Sequence, residues 1–129
     1  MKIREEYTCP LEVVHDIIKG KWKTIILWQL KYGPTSLSEL KKTIVGISEK
    51  MLLEQLKELK EFGLIDKINS NGYPLHVEYS LTEDRGKKIV PALEILQSIG
   101  VDYMVEHGRT DFLDQKGIVY AAEYPQKSK

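Results

Sequence analysis

The spacing of the apolar residues changes twice along the chain, and this restricts the possible folds more than any other feature of the sequence. Up to Phe62, and again after Thr82, apolar residues recur at intervals of three or four, which predicts amphipathic helices. Over 64–68 and 75–81 they alternate with polar residues, which predicts two strands. Asn71-Gly72 lies between these strands and is a preferred dipeptide of tight hairpin turns. The pattern predicts a mainly α-helical fold with one small β-hairpin.

Residues with known preferences for helix ends set the limits of the helices. Ser38, Ser48 and Thr82 are candidate N-caps, because a hydroxyl oxygen can accept a hydrogen bond from a free backbone amide. Gly33-Pro34 and Gly63 are typical of helix C-terminal ends. The predicted helices run from Pro10 to about Gly20, from Trp22 to Lys31, from Ser38 to about Thr43, from Ser48 to Phe62 and from Thr82 to about Gly108.

The length of the chain fits a single domain. All the predicted elements lie within residues 1–108, which we expect to form this domain. Pro91 falls inside the last predicted helix, where it is a candidate kink. The remaining segment, 109–129, mixes apolar and polar residues without a clear period, so the sequence leaves the structure of this C-terminal tail open.

The short third helix, the Val45-Gly46-Ile47 turn and the fourth helix predict a helix-turn-helix, and the hairpin after them predicts a wing. Leucines occupy one face of the fourth helix at positions 52, 56 and 59, and Lys50, Glu54, Lys57 and Glu61 occupy the opposite face. The major groove of duplex DNA is about 12 Å wide and accepts one α-helix with a polar forward face. Any amphipathic surface helix has one apolar and one polar face, so the fourth helix alone is weak evidence. The hairpin that follows it makes the winged helix-turn-helix the favoured interpretation.

The distribution of charge is more informative than its total, which is zero, with 19 basic and 19 acidic residues. Residues 19–60 carry nine lysines and four glutamates, a net charge of +5. Residues 89–129 carry four basic and six acidic residues, a net charge of −2. A chain polarised in this way can meet DNA phosphates with one region, although a solvated lysine-rich surface gives the same count.

Other classes of protein have signatures that this sequence lacks. A single cysteine, Cys9, excludes an internal disulfide framework and a multi-cysteine zinc site, so we expect no metal and no cofactor. Cys9 with His15, His76 or His107 could form a nucleophile–base pair. No glycine-rich phosphate loop or nucleophile elbow accompanies them, so we do not expect an enzyme. A winged helix that binds a protein instead of DNA is the second alternative.

The sequence also carries no sign of a membrane or export signal. No apolar run approaches the roughly 18 residues of a membrane span, and the polar residues at 1–6 are unlike a signal peptide. We therefore expect a cytoplasmic protein.

Several short motifs resemble one family of regulators. In chain order they are Cys9-Pro10-Leu11-Glu12, Gly20-Lys21-Trp22, Gly33-Pro34, Leu37-Ser38-Glu39-Leu40, Gly46-Ile47-Ser48-Glu49-Lys50-Met51-Leu52, Gln55-Leu56-Lys57-Glu58-Leu59 and Val77-Glu78-Tyr79-Ser80-Leu81-Thr82. Over about residues 9–100 the chain resembles the HxlR-type winged helix-turn-helix transcription regulators. The resemblance implies a homodimer with two recognition helices in successive major grooves of double-stranded DNA. It also implies a regulator of nearby genes, more commonly a repressor, and leaves room for a small-molecule effector of unknown identity.

The chain departs from the family pattern in two places. Wings of the family commonly carry prolines and a basic residue, whereas Ser70-Asn71-Gly72 and Leu75-His76 stand there in this chain. The wing is therefore a weaker candidate for DNA contact than the recognition helix. Gly86 also follows Thr82 one residue later than in the family, which leaves the start of the last helix open by one position.

The candidate DNA contacts follow from residue chemistry and the resemblance together. Glutamate can accept a hydrogen bond from cytosine N4, lysine can donate to guanine or phosphate, and Leu53 can contact a thymine methyl. The predicted DNA-binding residues are Ser38, Lys41, Lys42, Ser48, Glu49, Lys50, Leu53, Glu54, Lys57, Asn71 and His76. Lys21 and Lys23 are further candidates for phosphate contacts, and plain solvent exposure is the alternative for them and for Glu54 and Lys57.

The first and last helices carry more apolar surface than a small winged domain needs. In the family these elements form the dimer interface, so we predict interface roles for Leu11, Leu93, Leu96, Ile99 and Tyr103. The alternative is that these residues form a core within one chain. Trp22 and Trp28 are also expected in a core or an interface, because proteins that read duplex DNA seldom stack on bases.

Cys9 is a candidate redox sensor. It lies directly before Pro10, at the start of the first predicted helix, where the positive end of the helix dipole favours a thiolate, while Glu12 opposes it. Some family members sense oxidants or electrophiles with a cysteine at this place. Without a second cysteine, oxidation requires an interchain disulfide or a mixed disulfide, and alkylation is a further route. The alternative is a cysteine that only caps or packs.

Overall fold

The predicted order of helices and hairpin is confirmed by a computed structural model, which describes residues 4–69 and 76–121. The elements are α1 (Pro10–Ile18), α2 (Lys23–Leu30), β1 (Thr35–Ser36), α3 (Leu37–Thr43), α4 (Glu49–Glu61), β2 (Ile65–Asn69), β3 (Val77–Leu81), α5 (Gly86–Glu106) and α6 (Thr110–Gln115). The contacts group the chain into two compact units, Met1–Val90 and Pro91–Lys129. The first unit is a winged helix-turn-helix, with α3 and α4 as the helix-turn-helix and β2 and β3 as the wing.

The sheet has one strand more than the sequence predicts. Its order is β1-β3-β2, and both pairs are antiparallel. β1 is only two residues long, Thr35 opposite Tyr79 and Ser36 opposite Glu78, so it is too short to show an alternating pattern. The predicted hairpin strands start and end within two residues of β2 and β3. The Asn71-Gly72 turn lies outside the described residues.

The two helices of the helix-turn-helix both start at a serine cap. Ser48 is the N-cap of α4, as predicted, and its hydroxyl accepts a hydrogen bond from the Met51 amide at 3.1 Å. The prediction of Ser38 as the cap of α3 is wrong, because Ser36 holds that position and accepts from the Glu39 amide at 3.3 Å. The extended backbone that an N-cap requires is already present at Ser36, in β1.

The core of the first unit is formed by one face each of α2, α3 and α4, by residues of the connecting segments and by the inner face of the sheet. Its buried apolar residues are Ile26, Leu27, Leu30, Leu40, Ile44, Ile47, Leu52, Leu56, Leu59, Leu64, Ile65, Tyr79 and Leu81. Trp22 and Trp28 are partly buried. Leu52, Leu56 and Leu59 are at most 1% exposed, so α4 is held mainly by its apolar face.

The turn over residues 82–86 joins the wing to α5. The prediction of Thr82 as the residue that flanks the helix is wrong, because Thr82 lies four residues before α5. Its hydroxyl nevertheless accepts from the Gly86 amide at 2.7 Å, across the turn. Helix α5 therefore begins at Gly86, later than predicted. A Cβ on Gly86 would lie 2.1 Å from the Leu64 carbonyl oxygen, so this position requires glycine.

The second unit contains the rest of α5 and α6. Pro91 lies inside α5 without ending it. Leu93, Val105 and Leu113 are buried. Helix α6 lies in the tail where no element is predicted, because its six residues are too few to show a period. No helix of the described ranges has the length and apolar character of a membrane span.

We expect Gly86→Ala to lower the free energy of unfolding by at least about 2 kcal/mol, because the added methyl group overlaps a backbone oxygen that cannot move independently. Urea unfolding of the purified protein measures the change. Lys88→Ala, on the exposed side of the same helical turn, is the matched control and should shift stability by less than about 0.5 kcal/mol. Equal stability of the two variants would contradict the close approach of Gly86 to Leu64.

Candidate nucleic-acid interface

The outward face of α4 is a mainly polar surface of the helix-turn-helix. Glu49, Lys50, Glu54 and Lys57 are all exposed on it, and Leu53 is 44% exposed among them. The two lysines are seven residues apart, two helical turns, and so lie on the same side of the helix. The structure thus brings together the charged residues predicted for base and phosphate contact. Ser48 is also exposed, with its hydroxyl oxygen already accepting from Met51.

Helix α3 carries three further predicted residues. Ser38, Lys41 and Lys42 are exposed. The lysines occupy the last turn of α3, close in sequence to the turn that leads into α4. Among the residues that the structure describes, Lys41, Lys42, Lys50 and Lys57 form no ion pair, so their charge is available to phosphates.

Lys21 contacts the ring of Trp22, and that ring lies beside the turn of the helix-turn-helix. The ammonium of Lys21 is 4.6 Å from the centroid of the Trp22 ring. The far edge of that ring would be 3.9 Å from a Cβ on Gly46, in the turn between α3 and α4. Gly46 has φ +87°, which glycine adopts without strain. Lys21 is exposed and therefore remains a candidate phosphate contact.

Lys23 has a different role from the one predicted. Its side chain is 6% exposed, and its ammonium donates to a Glu58 carboxylate oxygen at 2.6 Å. The prediction of a phosphate contact at Lys23 is wrong, because the side chain points into the protein and pairs with α4. The hydrogen bond from Lys23 holds the pKa of Glu58 below its ordinary value of 4.5. This ion pair joins α2 to the recognition helix.

The C-terminal end of α4 is held by the 82–86 turn. The Arg85 guanidinium donates to the Phe62 carbonyl at 2.8 Å, and the Thr82 hydroxyl donates to the Gly63 carbonyl at 2.8 Å. The Thr82 amide donates to the Leu64 carbonyl at 3.0 Å. Three successive carbonyls at the end of the helix thus have partners, and Arg85 adds the positive charge that a helix C-terminus favours.

The wing contributes one predicted residue to the described surface. His76 is exposed, and its Nε2 lies 3.3 Å from a Glu78 carboxylate oxygen. Asn71, the other predicted wing contact, lies outside the described residues. The neighbouring carboxylate gives His76 a partner within the wing.

Cys9 lies at the start of α1 with its thiol exposed. It is the N-cap residue by backbone conformation, and its side chain makes no capping hydrogen bond. The segment before it is held to α1 by Arg4, which donates to the buried Asp16 carboxylate at 2.7 Å. That hydrogen bond lowers the pKa of Asp16. In the described ranges no three His, Cys, Asp or Glu side chains are grouped as metal ligands require.

The residues predicted for a dimer interface divide into exposed and buried ones. Leu11 on α1 is 73% exposed. In the second unit, Leu96, Ile99 and Tyr103 are exposed along α5 at intervals of three and four. Leu93, on the same helix, is only 4% exposed, so it belongs to the core of a single chain, which was the alternative for this set. The sequence prediction did not include Ile95, which is 64% exposed.

A family model described as HxlR-like helix-turn-helix matches residues 17–108. The chain belongs to this family. The match includes α2, the helix-turn-helix, the wing and α5. The resemblance read from the motifs is confirmed, and HxlR-like proteins are DNA-binding transcription regulators.

Named relatives and solved structures agree with this assignment. The chain is 40% identical over 99 residues to YkvN of Bacillus subtilis, an uncharacterized HTH-type transcriptional regulator, and the match covers 77% of this chain and 83% of the relative. YtcD is the name of another uncharacterized HTH-type transcriptional regulator of Bacillus subtilis. A crystal structure of a regulator named YtcD matches this chain with a TM-score of 0.69 at 37% identity, and the match covers 75% of this chain and 98% of that one. The redox regulator HypR in its oxidized form has a TM-score of 0.67 at 34% identity and covers 71% of this chain and 94% of that one.

We expect Glu58→Gln to destabilise the protein by about 3 kcal/mol, because it leaves the Lys23 ammonium buried without its carboxylate. The value is at the lower end for buried pairs, since Glu58 is 29% exposed and water can reach it. Glu54→Gln, the same substitution on the outward face of α4, is the matched control and should change stability by less than about 0.5 kcal/mol. Urea unfolding at pH 7 measures both.

The pH dependence of stability gives an independent readout of the same pair. Because the pKa of Glu58 is lowered by folding, its contribution is present well above pH 4.5 and is lost as the pH falls through the lowered value. The Glu58→Gln variant lacks this component, so its stability should fall less steeply in acid than that of the wild type. Parallel curves would show that the ion pair contributes nothing.

Proposed function

We propose that this HxlR-like regulator represses transcription as a homodimer that binds specific sequences of double-stranded DNA. The observation that carries the proposal is the division of α4 into a buried leucine face and an exposed charged face. Helix α4 is held on its inner side by the Lys23–Glu58 pair and at its C-terminal end by Arg85 and Thr82. A charged face on a firmly supported helix can enter the major groove without rearrangement.

The roles of individual residues follow from their places on this surface. Glu49, Lys50 and Leu53, near the N-terminal end of α4, suit contacts with base edges, because recognition helices of this class read bases with their N-terminal residues. Glu54 is placed to accept from cytosine N4. Lys41, Lys42 and Lys57 suit phosphates, which fix the register of the protein on DNA. Ser48 keeps its hydroxyl proton available, since its oxygen is the acceptor in the cap.

The exposed apolar residues support a homodimer. Leu96, Ile99 and Tyr103 leave an apolar stripe along the second part of α5, and Leu11 is a separate exposed apolar residue on α1. Such surfaces in a small protein are unfavourable in water and mark interaction sites. A two-fold dimer would present two α4 helices to half-sites about 34 Å apart, one turn of DNA. A dimer bound to two such half-sites can exclude other proteins from the promoter, and transcription would be repressed for that reason.

We expect Lys50→Ala and Lys57→Ala both to weaken binding to a footprinted site upstream of the gene, in different ways. Loss of a base contact at Lys50 should cost about 1–3 kcal/mol and relax the preference at one base pair. Loss of a phosphate contact at Lys57 should weaken binding to all sequences and reduce the slope of log affinity against log salt by about 1. Fluorescence anisotropy with duplexes of varied sequence and salt measures both.

Lys116→Ala is the matched control, since Lys116 is exposed in the second unit and lies outside the helix-turn-helix. It should leave affinity and salt slope unchanged. If all three variants bound like the wild type, α4 would not be the reading helix. Steep loss of affinity for Lys116→Ala would place the DNA elsewhere on the protein.

We further propose that Cys9 makes DNA binding responsive to oxidants. Its thiol is exposed, and oxidized and reduced structures exist for HypR, a similar redox regulator. A thiolate at Cys9 can attack a small disulfide, which yields a mixed disulfide on the protein and releases one thiol. The adduct would lie two residues from Leu11, on the helix we assign to the dimer interface.

We expect oxidised glutathione to reduce DNA affinity of the wild type at least tenfold and to leave Cys9→Ser unchanged. Gel-shift titrations before and after treatment measure affinity, and intact mass confirms the adduct. Dithiothreitol should restore binding, since it reverses the mixed disulfide. An equal loss of affinity in the serine variant would exclude Cys9 as the sensor.

A further inference from the structure

A groove of about 650 Å³ lies in the first unit, between the end of α2, the outer part of the sheet and the first turns of α5. Leu30, Leu81 and Val90 contribute apolar surface to it. Tyr32, which is 73% exposed, lines it as well. The volume is in the range of small-molecule sites, about 300–1,000 Å³. None of these residues belongs to the surface that we assign to DNA.

The charges of the groove leave one cation without an anion. Lys87 and Glu83 both line it and pair with each other at 2.6 Å, so their charges cancel. Lys31 also lines it, and its ammonium lies 3.6 Å from the centroid of the Trp28 ring and 5.1 Å from that of Tyr32. Across the described ranges no carboxylate pairs with Lys31. The groove therefore has a net charge of +1 beside apolar surface.

We propose that this groove binds a small organic acid, an apolar ring system with a single carboxylate. The ring system would contact Leu30, Leu81 and Val90, and the carboxylate would pair with Lys31. A second anionic group on the ligand would be repelled by Glu83 and would find no unpaired cation among the lining residues, because Lys87 already pairs with Glu83. A monoanion therefore fits the groove better than a dianion. An ammonium at the edge of an apolar site is a strong selector for a carboxylate, because the pair forms where water is partly excluded.

The groove is connected to the recognition helix by hydrogen bonds. Leu81 and Glu83 line it and flank Thr82, whose amide and hydroxyl donate to the Leu64 and Gly63 carbonyls. Arg85, in the same turn, donates to the Phe62 carbonyl at the end of α4. A ligand that packs on Leu81 and Glu83 therefore acts on the turn that supports the recognition helix. This regulatory consequence rests on the proposed function, whereas the binding site does not.

The test uses 2-naphthoate as the probe and 2-naphthamide as its uncharged counterpart, titrated calorimetrically into the full chain. We expect naphthoate to bind with at least tenfold higher affinity than naphthamide. Lys31→Met, which removes the charge and keeps the length of the side chain, should reduce naphthoate affinity at least tenfold and leave naphthamide unchanged. Lys88→Met, on α5 outside the groove, is the matched control and should bind naphthoate like the wild type.

Each outcome bears on the site directly. Equal affinity for the acid and the amide, an unchanged affinity in Lys31→Met, or no heat from naphthoate at millimolar concentration would overturn the proposal. Anisotropy of labelled duplex DNA with and without naphthoate then tests the connection, with at least a threefold change in affinity expected in the wild type and none in Lys31→Met. Lys31-dependent naphthoate binding in a protein that fails to bind DNA would retain the site and reject the proposed function.

Discussion

The ion pair between Lys23 and Glu58 joins α2 to the buried side of α4, the helix that we propose reads DNA. Leucines on the inner face of α4 supply most of the favourable burial, but apolar contacts are not directional and tolerate rotation of a helix about its axis. A buried ammonium that needs one carboxylate oxygen at hydrogen-bond distance does not tolerate it. The buried leucines set which side of α4 faces outward, and the pair narrows the rotation of the helix about its axis. The Arg85 and Thr82 contacts add a second constraint at the same, C-terminal end of the helix.

Most of the fold was accessible from the sequence because it depends on local patterns. The leucines of α4, the cap at Ser48 and the alternation over 64–81 each act within a few residues. The features that were missed depend on residues far apart in the chain. Lys23 and Glu58 are 35 residues apart, and nothing near Lys23 shows that its side chain turns inward. The strand at Thr35–Ser36 exists only because β3 pairs with it.

The candidate interface was predictable to a similar degree and for similar reasons. Exposed residues on α3 and α4 follow from helical periodicity, and the charged set among them was found from periodicity, residue chemistry and the family resemblance together. Leu93 and Leu96 belong to the same apolar series in sequence, and only three-dimensional packing distinguishes the buried one from the exposed one. The spacing from Thr82 to Gly86 was noted in the sequence, but the contact of this turn with α4 depends on where Phe62 lies in the fold. The spacing of residues indicates only that the 82–86 turn departs from the motif, whereas the structure shows that Arg85 in this turn donates to the Phe62 carbonyl.

The position of β2 at the edge of the sheet has a consequence for solubility. Only one side of β2 pairs with a described strand, β3, so its other side offers free amides and carbonyls to any strand that approaches. Such edges invite aggregation unless charged side chains or a bend discourage pairing. Asp66 and Lys67 are both exposed in the middle of β2 and would have to lose water if a second strand joined it. Strand β2 can thus form part of the wing, and its exposed charges still oppose pairing of its open edge with a strand of another molecule.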